Sequence, residues 1–405
     1  MSEQVDILIA GGGLVGLSLC AGLSESGFKT VVIDRQGPPV FEPGQSGHRE
    51  GHRLFSGVSP GVSAVGIATR DFLSRTGVWS RIPASVITPY RQINVFDGEG
   101  TGAITFNAEE AGVEQLGFIV ENNHIIKALF DRISEMGESE LHNGVEIELI
   151  EKSDDGYLVE AGGHHWQTNL LVGADGSESR VRKIGNFHTL KWAYAQSAVV
   201  STIEISQPHA DTARQWFTDS GILAFLPLPN EHYCSIVLSS EDTDALMSMD
   251  EWEFCEHLGR LSEGMPGSIR GVDKRFTFSL RQQHSLRYVA PHIALLGDAA
   301  HTIHPLAGQG ANIGFADART LAQVIKQARL EGRLPGDIDL LRRYQRMRQP
   351  DNMLTATVME AFVRGFGTTH PGMRWLRNSS MKLVNQSGFI KSLVVKMATE
   401  RTGSE

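Results

Sequence analysis

Val5-Asp6-Ile7-Leu8-Ile9-Ala10 runs directly into Gly11-Gly12-Gly13-Leu14-Val15-Gly16. The apolar run is strand-like, and the glycine stretch after it has the G-x-G-x-x-G spacing that opens a helix. Gly11 is expected to make the tight turn, Gly13 to admit backbone to a pyrophosphate, and Gly16 to let the helix pack closely on the strand. A second apolar run, Thr30–Ile33, ends in Asp34, 23 positions after Gly11, where an acid binds ribose hydroxyls. Strand, glycines, helix and acid in this register predict a Rossmann-like α/β domain. A secretory leader is the competing reading, and it fails on the missing basic segment and on Asp6.

Two further segments carry chemistry. Ile293–Leu296 is a short apolar run that leads into Gly297-Asp298-Ala299-Ala300-His301, a turn at Pro305, and Gly308-Gln309-Gly310-Ala311-Asn312. Asp298 at the strand end is placed to accept hydrogen bonds from a sugar-like chain. The glycines at 308–312 let backbone N–H groups meet a ligand at a helix N-terminus, where the helix dipole favours negative charge. The third segment, Leu170–Val172 then Gly173-Ala174-Asp175-Gly176, is a strand ending in Asp-Gly, followed by Arg180, Arg182 and Lys183. Alone, Asp-Gly is a turn signal.

Taken together, the three motifs make the chain resemble the flavoprotein aromatic hydroxylases, single-component FAD monooxygenases of the p-hydroxybenzoate hydroxylase fold. Gly77-Val78-Trp79, Gly117–Asn122, Gly221–Leu228, Gly297–Gly314, Leu341–Tyr344 and Arg346 are similar to the ubiquinone-biosynthesis hydroxylases within that superfamily. The resemblance implies that Gly11, Gly13, Gly16 and Asp34 hold the ADP half of FAD. It puts Asp298 on the ribityl chain and Gly310, Ala311 and Asn312 beside the flavin ring. Asp175 and Gly176 are implied in both FAD and NAD(P)H binding, which matters because the chain has no second G-x-G-x-x-G. Phe225, Leu226, Pro227 and Pro305 become candidates for lining the ring pocket, against the alternative of plain sheet core. One departure stands out: the related hydroxylases read Arg-Val-Ser-Ala-Ile where this chain reads Gly61-Val62-Ser63-Ala64-Val65. Arg49 or Arg53, in the long Gly- and Pro-rich stretch 37–61, is a candidate replacement for that charge by position; the alternative is that the chain binds FAD with one cation fewer.

Composition agrees. With 405 residues, 41% of them hydrophobic, the chain is long enough to bury more than one core without disulfides or metals. The three cysteines, Cys20, Cys234 and Cys255, are far apart and fit a reducing cytoplasm. A net charge of −10 argues against general nucleic-acid affinity. No apolar run approaches the ~20 residues that span a bilayer, so the expected location is cytoplasmic, with the inner membrane face as a place of contact.

The motif positions imply a discontinuous architecture. Residues 1–72, 115–185 and 285–335 are expected to form the FAD-binding domain, a mainly parallel sheet with helices. Residues 73–114 and 186–284 form a β-sheet substrate domain, where Ser197–Ile205 and Tyr233–Leu238 carry strand-forming residues. Residues 336–405 read as helical, with Leu341, Tyr344, Met347, Met353, Leu354, Val358, Phe362 and Phe366 as the apolar stripe. Their arginines and lysines form a solvated face or, alternatively, touch membrane or a partner protein.

The resemblance implies an NAD(P)H- and O2-dependent monooxygenase acting on a prenylated phenol or quinol within a multiprotein biosynthetic assembly. Zinc-ligand spacing, a Ser–His–Asp set and a Walker loop are lacking, so no metal is expected and the chemistry belongs to the flavin. The sequence names no catalytic base: His301 and His304 read as histidines satisfied by neighbouring backbone. Hydroxylation of a soluble aromatic, or a non-catalytic role in a biosynthetic complex, are the competing functions. A halogenase is disfavoured, since no Trp-x-Trp-x-Ile-Pro segment occurs.

Overall fold

A computed structural model describes residues 2–39, 61–98, 102–219, 221–303 and 310–366. The chain begins with β1 (Glu3–Ala10), α1 (Leu14–Gly22), β2 (Thr30–Asp34), β3 (Val62–Gly66) and α2 (Ile67–Arg75). Next come β4 (Ile87–Tyr90), β5 (Gln92–Asp97), β6 (Ala103–Asn107), β7 (Gly117–Glu121), α3 (Asn122–Met136), β8 (Ser139–Asn143), β9 (Ile147–Ser153), β10 (Gly156–Ala161), β11 (His164–Gly173) and α4 (Arg180–Ile184). The middle holds β12 (Thr189–Ile205), β13 (Thr212–Thr218), β14 (Gly221–Pro227), β15 (Tyr233–Ser240), α5 (Thr243–Ser248), α6 (Glu251–Leu261), β16 (Ile269–Val272) and β17 (Phe276–Ser285). The chain then passes through β18 (Val289–Ala290), β19 (Ile293–Leu295), β20 (His301–Thr302), α7 (Gly310–Leu330) and α8 (Ile338–Phe366).

Among the described residues three sheets form. The first has the order β18-β19-β11-β1-β2-β8, with the β9–β10 hairpin attached to β11. Its strands β19, β11, β1, β2 and β8 run parallel. Both faces are covered, so β1 and β11 read as continuous apolar runs: Ile7, Leu8, Ile9, Leu170, Leu171 and Val172 are fully buried. Helices α1, α3 and α7 pack together over this core.

The second sheet, β20-β17-β12-β15-β14-β13-β5-β6 with β16 on β12, is antiparallel except for the β13–β5 pair. Its strands alternate between two apolar layers. Val199, Ile203, Trp216, Leu223, Phe225 and Ile236 pack with Phe254 and Leu258 of α6, while Leu226, Leu228 and Ala213 pack with Ala64 and Ile119. The last two belong to the third sheet, β3-β7-β4. That small sheet therefore lies between the parallel sheet's core, which takes Phe118 and Val120, and the large antiparallel sheet.

Helix α8 differs from its expected amphipathic pattern. Leu341 and Tyr344 are fully buried, but Met347, Met353 and Leu354 are about half exposed. The buried face continues instead through Arg348, Asn352 and Ala356, at the 3–4-residue spacing of one helical face. Two polar residues occupy that face because their partners wait beneath it. The side chains of Phe362 and Phe366, and residues 367–405, lie outside the described residues.

Candidate cofactor and active site

The turn from β1 to α1 requires glycine at two positions. Gly11 has φ +110°, and a Cβ on it would fall 2.2 Å from the Ala174 carbonyl oxygen. A Cβ on Gly16 would fall 1.9 Å from the Gly11 carbonyl oxygen. Gly13 is different: nothing lies within 4 Å of where its Cβ would stand, although it is the N-cap of α1. An open backbone at a helix N-terminus, with free first-turn N–H groups, suits a pyrophosphate. Asp34 ends β2 and accepts the Gly12 N–H through Oδ2 at 2.6 Å, which ties the acid expected to bind ribose to the glycine turn.

The Asp175-Gly176 turn follows β11, and Gly176 has the left-handed φ of +80° that favours glycine. Asp175 Oδ2 accepts the N–H groups of Arg180 and Val181, at 2.7 and 3.3 Å, at the start of α4. Its Oδ1 is buried without a hydrogen-bond partner among the described residues, an acceptor left for a ligand. Two residues without a role in the sequence reading clamp this turn to the Asp298 segment. Arg182, almost fully buried, donates from Nη1 to the Ala299 carbonyl at 3.0 Å and from Nη2 to Ser177 at 2.6 Å. Gln283 of β17 donates from Nε2 to the carbonyls of Ser177 and Asp298, at 2.7 and 3.1 Å.

Asp298 itself is solvent-exposed yet surrounded by protein, the environment of a side chain standing in a cleft. That surrounding raises its carboxyl above the usual range, and the nearby His301 only partly opposes the rise. The turn carrying it is held from behind by Asp317 of α7, whose Oδ2 accepts the Gly297 N–H at 3.1 Å and His301 Nε2–H at 2.6 Å. Arg348 Nε and Asn352 Nδ2 of α8 donate to Asp317 Oδ1 at 2.9 and 3.0 Å. Burial alone would raise the Asp317 carboxyl, but His301, Arg348 and Asn352 outweigh it and hold it down at about 2. His301 is thus satisfied by a buried carboxylate rather than by backbone, a correction to the sequence reading. His304 and Pro305 lie outside the described residues, as do Arg49 and Arg53.

Gly310 and Ala311 open α7, and nothing crowds the position of a Cβ on Gly310. Asn312 is committed to the protein. Its Oδ1 accepts the Gly66 N–H at 3.0 Å and the Thr69 hydroxyl at 2.9 Å, and its Nδ2 donates to Ala64 at 2.7 Å. What it can offer a flavin is therefore its backbone N–H. Among the pocket-lining candidates, Phe225 is in the core beneath α6, edge-on to Trp216 with ring centroids 5.0 Å apart. By alternation Pro227, also buried, shares its side of the strand. Leu226 alone of the three packs toward Ala64 and Ile119. Among the described residues no group of three His, Cys, Asp or Glu is placed to hold a metal ion.

An open glycine backbone, an acid tied to it, an orphaned buried carboxylate oxygen, a carboxylate in a cleft and an uncrowded helix N-terminus together fit a bound FAD. A family model described as FAD binding domain matches residues 61–358. The chain is 31% identical over 401 residues to the 3-demethoxyubiquinol 3-hydroxylase of Escherichia coli (strain K12), covering 98% of this chain and 99% of that one. It is 31% identical over 407 residues to the ubiquinone hydroxylase UbiL of Rhodospirillum rubrum, covering 100% and 92%. Its fold is similar to that of p-nitrophenol 4-monooxygenase PnpA from Pseudomonas putida DLL-E4, with a TM-score of 0.79, 18% identity and the whole of both chains covered. The chain belongs to the FAD-dependent monooxygenases of the FAD binding domain family, in the branch of the ubiquinone-biosynthesis hydroxylases.

Proposed function

We propose that this monooxygenase hydroxylates the aromatic ring of a polyprenylated phenol or benzoquinol in ubiquinone biosynthesis, using NAD(P)H and O2. The observation that carries the reading is the full-length similarity to quinol hydroxylases in a chain whose glycine turn, Asp298 cleft and α7 N-terminus fit FAD. FAD, when bound, takes hydride from the reduced nicotinamide and delivers one oxygen atom of O2 to an electron-rich ring.

In this reading the protein binds, orients and excludes water. Gly11, Gly13 and Gly16 bring backbone to the pyrophosphate, Asp34 takes the ribose, and Asp298 takes the ribityl chain. The first turn of α7, from Gly310 to Asn312, supplies N–H groups that favour negative charge on the ring. Asp175 and Gly176 serve the nicotinamide as well as FAD. Leu226, with Ala64 and Ile119, forms an apolar wall that keeps water from the reacting ring.

An isoprenoid tail requires delivery from a membrane face or from a partner in a biosynthetic complex. Helix α8 suits such a contact, with exposed Met347, Met353 and Leu354 near exposed Arg342 and Arg346. No helix among the described residues is long and apolar enough to cross a membrane.

The test is the visible absorption of the purified protein, together with NAD(P)H oxidation with and without a short-chain prenylphenol. A yellow protein whose oxidation rate rises with the phenol, with a product heavier by one oxygen, is expected. A colourless protein that cannot be reconstituted with FAD overturns the reading.

A further inference from the structure

Activation of a phenol calls for an acceptor of its proton, and His301, the described histidine of the cofactor segment, is taken by Asp317. An acceptor elsewhere in the fold rests on the hydroxylase reading and fills its missing group. Glu121 is the last residue of β7, in extended backbone with φ −66° and ψ 132°. Along β7, alternation sends Phe118 and Val120 into the core beside the parallel sheet, whereas Ile119 joins Ala64, Leu226 and Leu228 on the opposite face. Glu121 shares the face of Ile119. It stands directly across from Val62, which borders that same cluster, and Ile119 stands across from Ala64.

The free edge of β3, one strand away from Glu121, meets the start of α7, because Asn312 accepts the Gly66 N–H and donates from Nδ2 to the Ala64 carbonyl. Glu121 thus sits at the end of β7 on the side of an apolar layer between the small sheet and β14, and the edge of that sheet reaches the helix start that would meet the flavin ring. It is half-buried, and among the described residues its carboxylate has neither a hydrogen-bond nor an ion-pair partner. Burial without compensation raises its carboxyl above the usual value. An unpaired carboxylate in such a place costs free energy that a ligand donor would recover. On neighbouring elements, Tyr90 of β4 is fully buried and raised by burial, and α3 carries His124, lowered by burial, followed by Lys127, Asp131, Arg132 and Glu135 further along the helix. Strands β3 and β14 contribute none.

We propose that Glu121 accepts a hydrogen bond from the ring hydroxyl of the substrate phenol and takes up its proton as the ring is attacked. The O–H bond breaks, its electron pair stays on the ring oxygen and enriches the ring, and the proton moves to a carboxylate oxygen. The same proton returns to the ring oxygen when turnover ends. The ionised form does the accepting, so the effect is lost as pH falls through the raised pKa of Glu121.

The experiment compares holoenzyme with Glu121→Gln, using a short-chain prenylphenol and its methyl ether, which lacks the donor. Dissociation constants are measured by titration calorimetry, and kcat/KM is followed against pH. Glu121→Gln is expected to keep its FAD absorption, to bind the phenol about tenfold more weakly, as for a lost charge-assisted hydrogen bond, and to bind the ether unchanged. The acidic fall in kcat/KM disappears with it. Glu121→Asp, which keeps the carboxylate, is expected to retain the preference for phenol over ether, and it stands in should Glu121→Gln fold poorly. Equal weakening on both ligands, no weakening, or a wild type that does not distinguish them overturns the assignment. A wild type that prefers the phenol but forms no oxygenated product overturns the hydroxylase reading and leaves the binding comparison to decide Glu121.

Discussion

His301 Nε2–H donates to Asp317 Oδ2 across 2.6 Å, and neither side chain reaches solvent appreciably. Asp317 also takes Arg348 and Asn352 from α8, so one carboxylate joins the Asp298 turn to α7 and α8. Removing it takes the buried counter-charge from Arg348, whose Nη1 otherwise meets the exposed Asp351 at 3.4 Å. Asp317→Ala is expected to cost about 3–5 kcal/mol of stability, the usual penalty for breaking a buried pair. The carboxyl is held at about 2 in the folded protein against an ordinary 3.8. Its stabilisation is therefore complete above about pH 4 and lost as pH falls toward about 2. Urea unfolding of wild type and variant at neutral pH and in acid checks both statements, and a neutral-pH cost below about 1 kcal/mol would show that the network is ornamental.

His284 of β17 supplies a pH dependence of its own. It is buried, its Nδ1 has no hydrogen-bond partner among the described residues, and its Nε2 lies 3.5 Å from the Tyr288 hydroxyl. Burial first, then the neighbouring His301, pushes its imidazole down to about 4 from 6.5. The folded state keeps it neutral while the unfolded chain protonates, so its contribution, full above about pH 6.5, is lost as pH falls toward about 4. His284→Phe should flatten the change in urea midpoint between about pH 7 and about pH 5. Parallel losses in both proteins would place that pH dependence elsewhere.

How much of this is legible in the sequence depends on the range over which each signal acts. The turn at Gly11–Gly16 and the acid at Asp34 are local patterns, and the structure puts Asp34 Oδ2 on the Gly12 N–H. The parallel strands are readable as apolar runs. His301 escapes a local reading because its partner is a side chain 16 residues away, on helix α7. The inner face of α8 escapes it for a related reason: apolar periodicity marks Met347, Met353 and Leu354, whereas the buried positions include Arg348 and Asn352, which both donate to Asp317. Strand alternation separates Phe225 from Leu226 in any sequence. Which of the two sides α6 covers is a matter of tertiary packing.

Asn312 joins the start of α7 to β3 and α2 through three hydrogen bonds. Asn312→Ala leaves the Gly66 N–H, the Ala64 carbonyl and the Thr69 hydroxyl without that partner, at an expected cost of about 2–4 kcal/mol. Thr69→Ala should cost about 1 kcal/mol alone and clearly less in the Asn312→Ala background, because the shared bond is already gone. Additive costs in a double-mutant cycle would mean that the two side chains do not interact.

Two glycines of the first turn separate folding from cofactor binding. A Cβ on Gly16 collides with the Gly11 carbonyl oxygen at 1.9 Å and meets Ala174 Cβ at 3.3 Å, so α1 must move off the sheet. Gly16→Ala is expected to destabilise the apoprotein by about 1–3 kcal/mol, the cost of overpacking, and to weaken FAD binding as a consequence. Gly13 has an ordinary φ of −83° and open space around its Cβ position, so alanine fits the fold there. Gly13→Ala should leave apoprotein stability within about 0.5 kcal/mol, yet its methyl group points where the pyrophosphate must approach, and FAD affinity should fall about tenfold or more. Melting temperature of the apoprotein and FAD affinity by flavin fluorescence decide the matter together. If Gly13→Ala binds FAD as tightly as wild type, the pyrophosphate does not lie against this turn.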